Sequence, residues 1–128
     1  MYWAMAPYSD MSLLDGDTRD ENSYLYEILN QSFHGDLISS ASQQPAKVTS
    51  FAVSNKKDSG GRGHAFSLIN RTANPQRVKL HFDSWRPTNL LWNLWDGDNA
   101  FSKRKTTWGQ LNNGEFVLSP YSVNFFVE

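Results

Sequence analysis

The sequence predicts an all-β antiparallel sandwich, jelly-roll-like or immunoglobulin-like, of seven or eight strands with one short helix near the N-terminus. Three observations predict it. First, Gly114 to Glu128, GEFVLSPYSVNFFVE, reads as strand, break, strand. After Pro120, Tyr121, Val123, Phe125 and Val127 alternate with Ser122, Asn124, Phe126 and Glu128. Period two marks a half-buried strand, so the first set is expected in the core and the second outside it. Second, Arg77 to Trp85 alternates as cleanly, with Val78, Leu80 and Phe82 expected inward and Lys79, His81 and Asp83 outward. Third, turn-forming clusters separate the apolar runs, among them Ala73-Asn-Pro-Gln76, Asp96-Gly-Asp-Asn99 and the hairpin signal Asn112-Asn-Gly114. A strand at the end of the sequence pairs with earlier ones, so the chain closes back on itself.

A chain of 128 residues is about one domain and buries a core without staples. There is no cysteine, hence no disulfide framework and no thiol chemistry. A net charge of −1 gives no reason to expect nucleic acid, whose binding rests on neutralising phosphates. No apolar run is long enough to cross a membrane, and Met1 to Ala6 lacks the basic start of a signal peptide. The distinctive feature is 14% aromatic residues, five of them tryptophan. In an all-β domain such side chains fill the core or stack on sugars.

The organisation expected is an apolar segment and helix over residues 1–36, then the sandwich over 37–128. Tyr2, Trp3, Met5, Tyr8, Met11, Leu13 and Leu14 are apolar without a period, and are expected to pack along the sandwich or on a neighbour. Asp15, Asp17, Asp20 and Glu21 are close in sequence, as in calcium loops. The EF-hand spacing is missing, so a solvated loop leading into a helix is the plainer reading. Leu25, Ile28 and Leu29 recur at helical spacing, with Asn22 or Ser23 as cap and Gly35 as stop. Strands follow at Lys47–Asn55, with Thr49, Phe51 and Val53 on one face, at His64–Thr72, at Arg77–Trp85 and at Leu90–Trp95. The loop Lys56 to Gly63, KKDSGGRG, joins the first two; it lacks the Walker pattern and no helix follows it. The basic run Lys103-Arg-Lys105 lies in the stretch before Leu111.

Three segments together carry a family resemblance. Tyr26-Glu-Ile-Leu-Asn-Gln-Ser-Phe-His-Gly-Asp36 resembles the helix leading out of a glycoside hydrolase barrel. Phe66-Ser-Leu-Ile-Asn-Arg-Thr72 resembles a strand and turn of the accessory sandwich in such enzymes, and Leu118-Ser-Pro-Tyr-Ser-Val123 its closing strand. The families concerned are retaining polysaccharide hydrolases, including arabinofuranosidases, xylosidases and some cellulases, which join a (β/α)8 barrel to a C-terminal β-sandwich. The resemblance spans residues 24–128. It implies an accessory domain or a related carbohydrate-binding module, with a polysaccharide and a catalytic barrel as partners and an extracellular, secreted setting. It does not imply catalysis here. The glutamates are Glu21, Glu27, Glu115 and Glu128, none in an Asn-Glu pair, and a barrel needs about 250 residues.

The chemistry-bearing residues agree with a non-catalytic reading. Glycoside hydrolysis needs two carboxyl groups about 5–9.5 Å apart. Asp83, Asp96 and Asp98 could meet at one edge, but acids in turns, as Asp96 and Asp98 are, ordinarily serve as turn formers. His34, His64 and His81 are scattered and no serine lies on a recognisable elbow, so neither a triad nor a zinc site is expected. Sugar binding needs less: a flat aromatic face against ring C–H groups, and polar side chains for the hydroxyls. Alternation assigns Trp92 to the core with Leu90 and Leu94 and points Trp85 and Trp95 outward, and Trp108 lies beside Gly109 in a polar run, so Trp85, Trp95 and Trp108 are the expected exposed platforms. Arg86, Asp96 and Asp98 are the expected polar partners. The expected function is thus binding of β-linked plant polysaccharide, glucan or xylan, with no cofactor. The alternative is a purely structural sandwich on a barrel, its tryptophans buried.

Overall fold

In the computed structural model the C-terminal strand lies in the middle of a six-stranded sheet. The structure describes residues 14–15, 18–19, 21–56, 62–96 and 102–128. In chain order the elements are β1 (Leu14–Asp15), β2 (Thr18–Arg19), α1 (Glu21–Ser32), β3 (Asp36–Ile38), β4 (Val48–Lys56) and β5 (Arg62–Asn70). Then come β6 (Gln76–Lys79), β7 (Asn89–Trp95), β8 (Ser102–Thr107), a short 3-10 turn (Asn112–Gly114), β9 (Glu115–Leu118) and β10 (Val123–Val127). The fold is an all-β, sandwich-like arrangement with one short α-helix among the described residues. Two compact units divide the chain, Met1–His34 and Gly35–Glu128.

In the first unit β1 and β2 pair antiparallel, Leu14 opposite Arg19 and Asp15 opposite Thr18. Asp17 and Asp20, and the apolar start up to Leu13, lie outside the described residues. Helix α1 begins at Glu21, which puts Asn22 and Ser23 in its first turn rather than ahead of it. Ile28 is its buried residue, and the Phe33 N–H closes the last turn on the Leu29 carbonyl.

The second unit holds the sandwich. Its large sheet has the order β3-β4-β5-β10-β7-β8, antiparallel throughout. Strands β6 and β9 form a separate two-stranded sheet. Ala52, Phe66, Leu68, Leu90 and Phe126 of the large sheet cluster with Leu111 and Leu118, and Val78, Leu80, Phe82, Trp85, Trp108 and Phe116 pack against them. Val78, Leu80 and Phe82 thus point inward while Lys79 and His81 are exposed, as their alternation predicts. The strand itself is shorter than expected. It stops at Lys79 opposite Glu115, where β9 begins and the partner runs out.

The expectation for β10 is corrected. Phe126, Asn124 and Ser122 are each fully buried, and Phe126 faces the sandwich core, stacked on Phe66 at 4.8 Å. Phe125 is buried on the opposite face, Val123 and Val127 are half-buried, and Tyr121 is 66% exposed with φ +45. A strand between β5 and β7 has both faces covered, so alternation of polarity no longer reports its direction. In β4, Ala52 joins the core cluster, while the face of Phe51 and Val53 is the other one, with Val53 buried and Phe51 41% exposed.

Asn124 and Ser122 are tied down by hydrogen bonds, whereas the buried Asn93 Oδ1 of β7 has no hydrogen-bond partner. The Trp92 indole Nε1–H donates to Asn124 Oδ1 at 3.0 Å. Asn124 Nδ2 donates to the Leu68 carbonyl at 3.2 Å and to Ser122 Oγ at 3.0 Å. One buried amide therefore locks three strands in register, because a one-residue slip would leave every one of these groups unpaired. Asn124→Ala is expected to cost about 2–4 kcal/mol, since the Trp92 N–H and Leu68 carbonyl lose their partner. Urea unfolding checks this, with the exposed Lys79→Ala as a control expected within about 0.5 kcal/mol.

The sheet edges are protected by their own chemistry. Edge strand β8 carries Lys103, Arg104 and Lys105, all exposed, and edge strand β3 is only three residues long. Charged or very short edges discourage pairing with another chain.

Candidate functional site

The aromatic residues divide between the two faces of the large sheet. Strand β7 places Leu90, Trp92 and Leu94 toward the core, and Asn93 and Trp95 on the opposite face. Trp85 and Trp108 pack on the core side. The expectation of three outward tryptophans is therefore corrected, and no single surface carries all three.

Each ring has its own environment. Trp85 lies flat on the His64 imidazole, centroids 4.0 Å apart and planes 9° apart, with Phe82 at 4.4 Å. His64 is held by Glu128, Nδ1 to Oε2 at 2.8 Å. Trp85 turns inward because the chain bends at Asp83 and Ser84, so the alternation of Arg77–Phe82 does not continue through it. Trp92 stacks on Phe126 at 5.3 Å, and the Arg104 guanidinium lies 4.7 Å from its ring centre. Trp95, half-buried, meets Phe125 edge to face at 6.0 Å.

Trp108 differs, because part of its ring opens to a pocket. That pocket, of about 160 Å³, is lined by Leu80, His81, Phe82, Arg86, Trp108 and Asn113. Two stretches of backbone build it. One is the extended tail that continues β6, carrying Leu80, His81 and Phe82 and leading to Arg86. The other is the turn after β8. The Leu80 N–H bonds the Gly114 carbonyl at 2.9 Å, and the Trp108 N–H bonds the Thr88 carbonyl at 3.0 Å, so both walls are anchored. Asn112, Asn113 and Gly114 have φ of +49, +53 and +91, a left-handed run that Asn and Gly tolerate best. The turn was expected to close a hairpin. It instead carries the chain from β8 in the large sheet to β9 in the small one.

Of the residues singled out in the sequence, Trp108 and Arg86 meet at this pocket. Trp85, Trp95 and Asp96 do not line it, and Asp98 lies outside the described residues. His81 and Asn113 were missed as site residues. The signal for Asn113 was its turn cluster, read only as a turn. His81 pairs with Asp83, Nε2 to Oδ1 at 3.1 Å, both side chains nearly free in solvent.

Other chemistry is sparse. Among the described residues no three His, Asp or Glu converge as a cation site, and no helix is long and apolar enough to cross a membrane. Asn70-Arg71-Thr72 fits the acceptor pattern for N-linked glycans. Asn70, however, is only 1% exposed, and its amide is fully engaged. Nδ2 donates to the Asn74 and Ser119 carbonyls, and Oδ1 accepts from the Thr72 N–H and hydroxyl. In the fold Asn70 is a joint between the end of β5 and the turn before β10, not an acceptor. Compared with known proteins, the chain matches no family model and no curated relative.

Proposed function

We propose that this chain is a non-catalytic β-sandwich module of a polysaccharide-degrading enzyme, and that it contacts a β-linked polysaccharide, glucan or xylan, at the Trp108 pocket. The observation that carries the reading is the pocket itself. It puts an aromatic wall, Trp108 and Phe82, beside Arg86, His81 and Asn113. A sugar ring asks for this combination: an apolar surface for its C–H face and nearby donors and acceptors for its hydroxyls. The pocket has room for about one ring. With few contacts and hydroxyls that must first lose water, the dissociation constant is expected on the order of 100–1000 µM.

Affinity gels containing glucan, xylan or mannan test the reading. Wild-type protein is expected to be retarded by at least one of them. His81→Ala combined with Asn113→Gly is expected to reduce the retardation, with the fold kept, because His81 is exposed and glycine accepts a left-handed φ. Retardation unchanged by the double variant would move binding away from this pocket. No retardation of the wild type by any of the three would end the binding reading.

A second reading has its own support: a purely structural accessory sandwich packed on a catalytic barrel. Trp85, Trp92 and Trp95 all lie against rings of their own chain, as tryptophans kept for a core would. This reading stands if the gels show no binding.

A further inference from the structure

We infer that the Trp108 pocket favours an acidic sugar, a uronic acid unit whose carboxylate is held by Arg86. The inference rests on the sugar-binding reading above. Its starting point is the charge at the pocket wall. Of the two basic side chains that line it, His81 already meets Asp83, at 3.1 Å. Arg86 is exposed, lines the pocket and takes part in no ion pair among the described residues. None of the six lining residues is an acid.

A guanidinium presents a planar fork of donors that matches a carboxylate at two points. A neutral hydroxyl gains little from such a group over water, whereas a carboxylate gains both hydrogen bonds and charge. Asn113 supplies a neutral amide for a ring hydroxyl, and Trp108 an apolar face. Asp83 is the nearest acid in sequence. It is 93% exposed and already faces His81, so its repulsion is screened by solvent.

The test compares two probes with the full chain by isothermal titration or NMR. One is a xylo-oligosaccharide bearing a glucuronic acid branch. The other is the same oligosaccharide with the carboxyl reduced to an alcohol. The acidic probe is expected to bind about three- to tenfold more tightly at low salt, the range of an exposed but bidentate pair. The preference should shrink when salt is raised from about 20 mM to about 500 mM. It should vanish in Arg86→Gln, which is expected to bind the two probes equally, and the acidic one more weakly than the wild type does. Equal binding of the two probes by the wild type would overturn the uronate inference and leave the sugar-binding reading standing. A preference that survives in Arg86→Gln would overturn the assignment to Arg86. If neither probe binds, the sugar-binding reading itself falls.

Discussion

Gly114→Val is expected to destabilise the protein by about 3–5 kcal/mol, a fall of roughly 10–20 °C in melting temperature for a domain of this size. Two independent effects add. Gly114 has φ +91, where a β-branched residue is strained. A Cβ there would also come within 2.4 Å of Trp108 Cη2 and 2.5 Å of Cζ2. Relief would require the indole to move, but Trp108 is fixed edge-on against Phe82 at 5.3 Å and lies on the core. Gly114→Ala is expected to lose somewhat less, because the φ penalty is smaller while the collision remains. Thermal unfolding by circular dichroism reads both. A Gly114→Val variant that melts with the wild type would show that Trp108 is not seated over this glycine, and the pocket wall would need redrawing.

Phe126→Ala is expected to cost about 3–5 kcal/mol by leaving a cavity in the most enclosed part of the molecule. Phe126 is fully buried and touches rings from both layers: Phe66 at 4.8 Å, Trp92 at 5.3 Å and Phe116 at 5.7 Å. Tyr121→Ala, two-thirds exposed, is the contrasting change and is expected within about 1 kcal/mol. The comparison is informative because alternation alone assigns the opposite roles to the two residues. A large loss at Tyr121 and a small one at Phe126 would restore the sequence-based register.

Much of the architecture was legible in the sequence where one rule acted alone. Val78, Leu80 and Phe82 belong to a layer with one wet face, so polarity reported direction correctly. Alternation assigns Leu90, Trp92 and Leu94 to one face; Leu90 and Trp92 belong to the core cluster and Leu94, on their face of β7, is buried. Legibility failed where tertiary position overrode the local pattern. In β10 both faces are covered, and the polar Ser122 and Asn124 are buried because hydrogen bonds satisfy them. No pattern within the strand could reveal those partners, since Trp92 and Leu68 lie far away in sequence. Trp85 was misassigned because alternation was carried past the end of β6 and through a bend. The pocket was half legible. The chemistry of Trp108 and Arg86 is visible in the sequence, but His81 and Asn113 join them only through the pairing of Leu80 with Gly114.

The sugar-binding claim is tested most directly by following the tryptophan indole N–H signals in a two-dimensional NMR spectrum during titration with neutral xylo- and gluco-oligosaccharides. Three other tryptophans provide built-in controls, because Trp85 and Trp92 are packed against rings of their own chain and Trp95 lies on the opposite face of the large sheet. The expected result is a saturable shift of the Trp108 signal, with Asn113 side-chain amide signals moving in parallel and those of Trp85, Trp92 and Trp95 nearly still. Saturating shifts at Trp95 without Trp108, or no shift at any indole up to millimolar sugar, would contradict binding at this pocket.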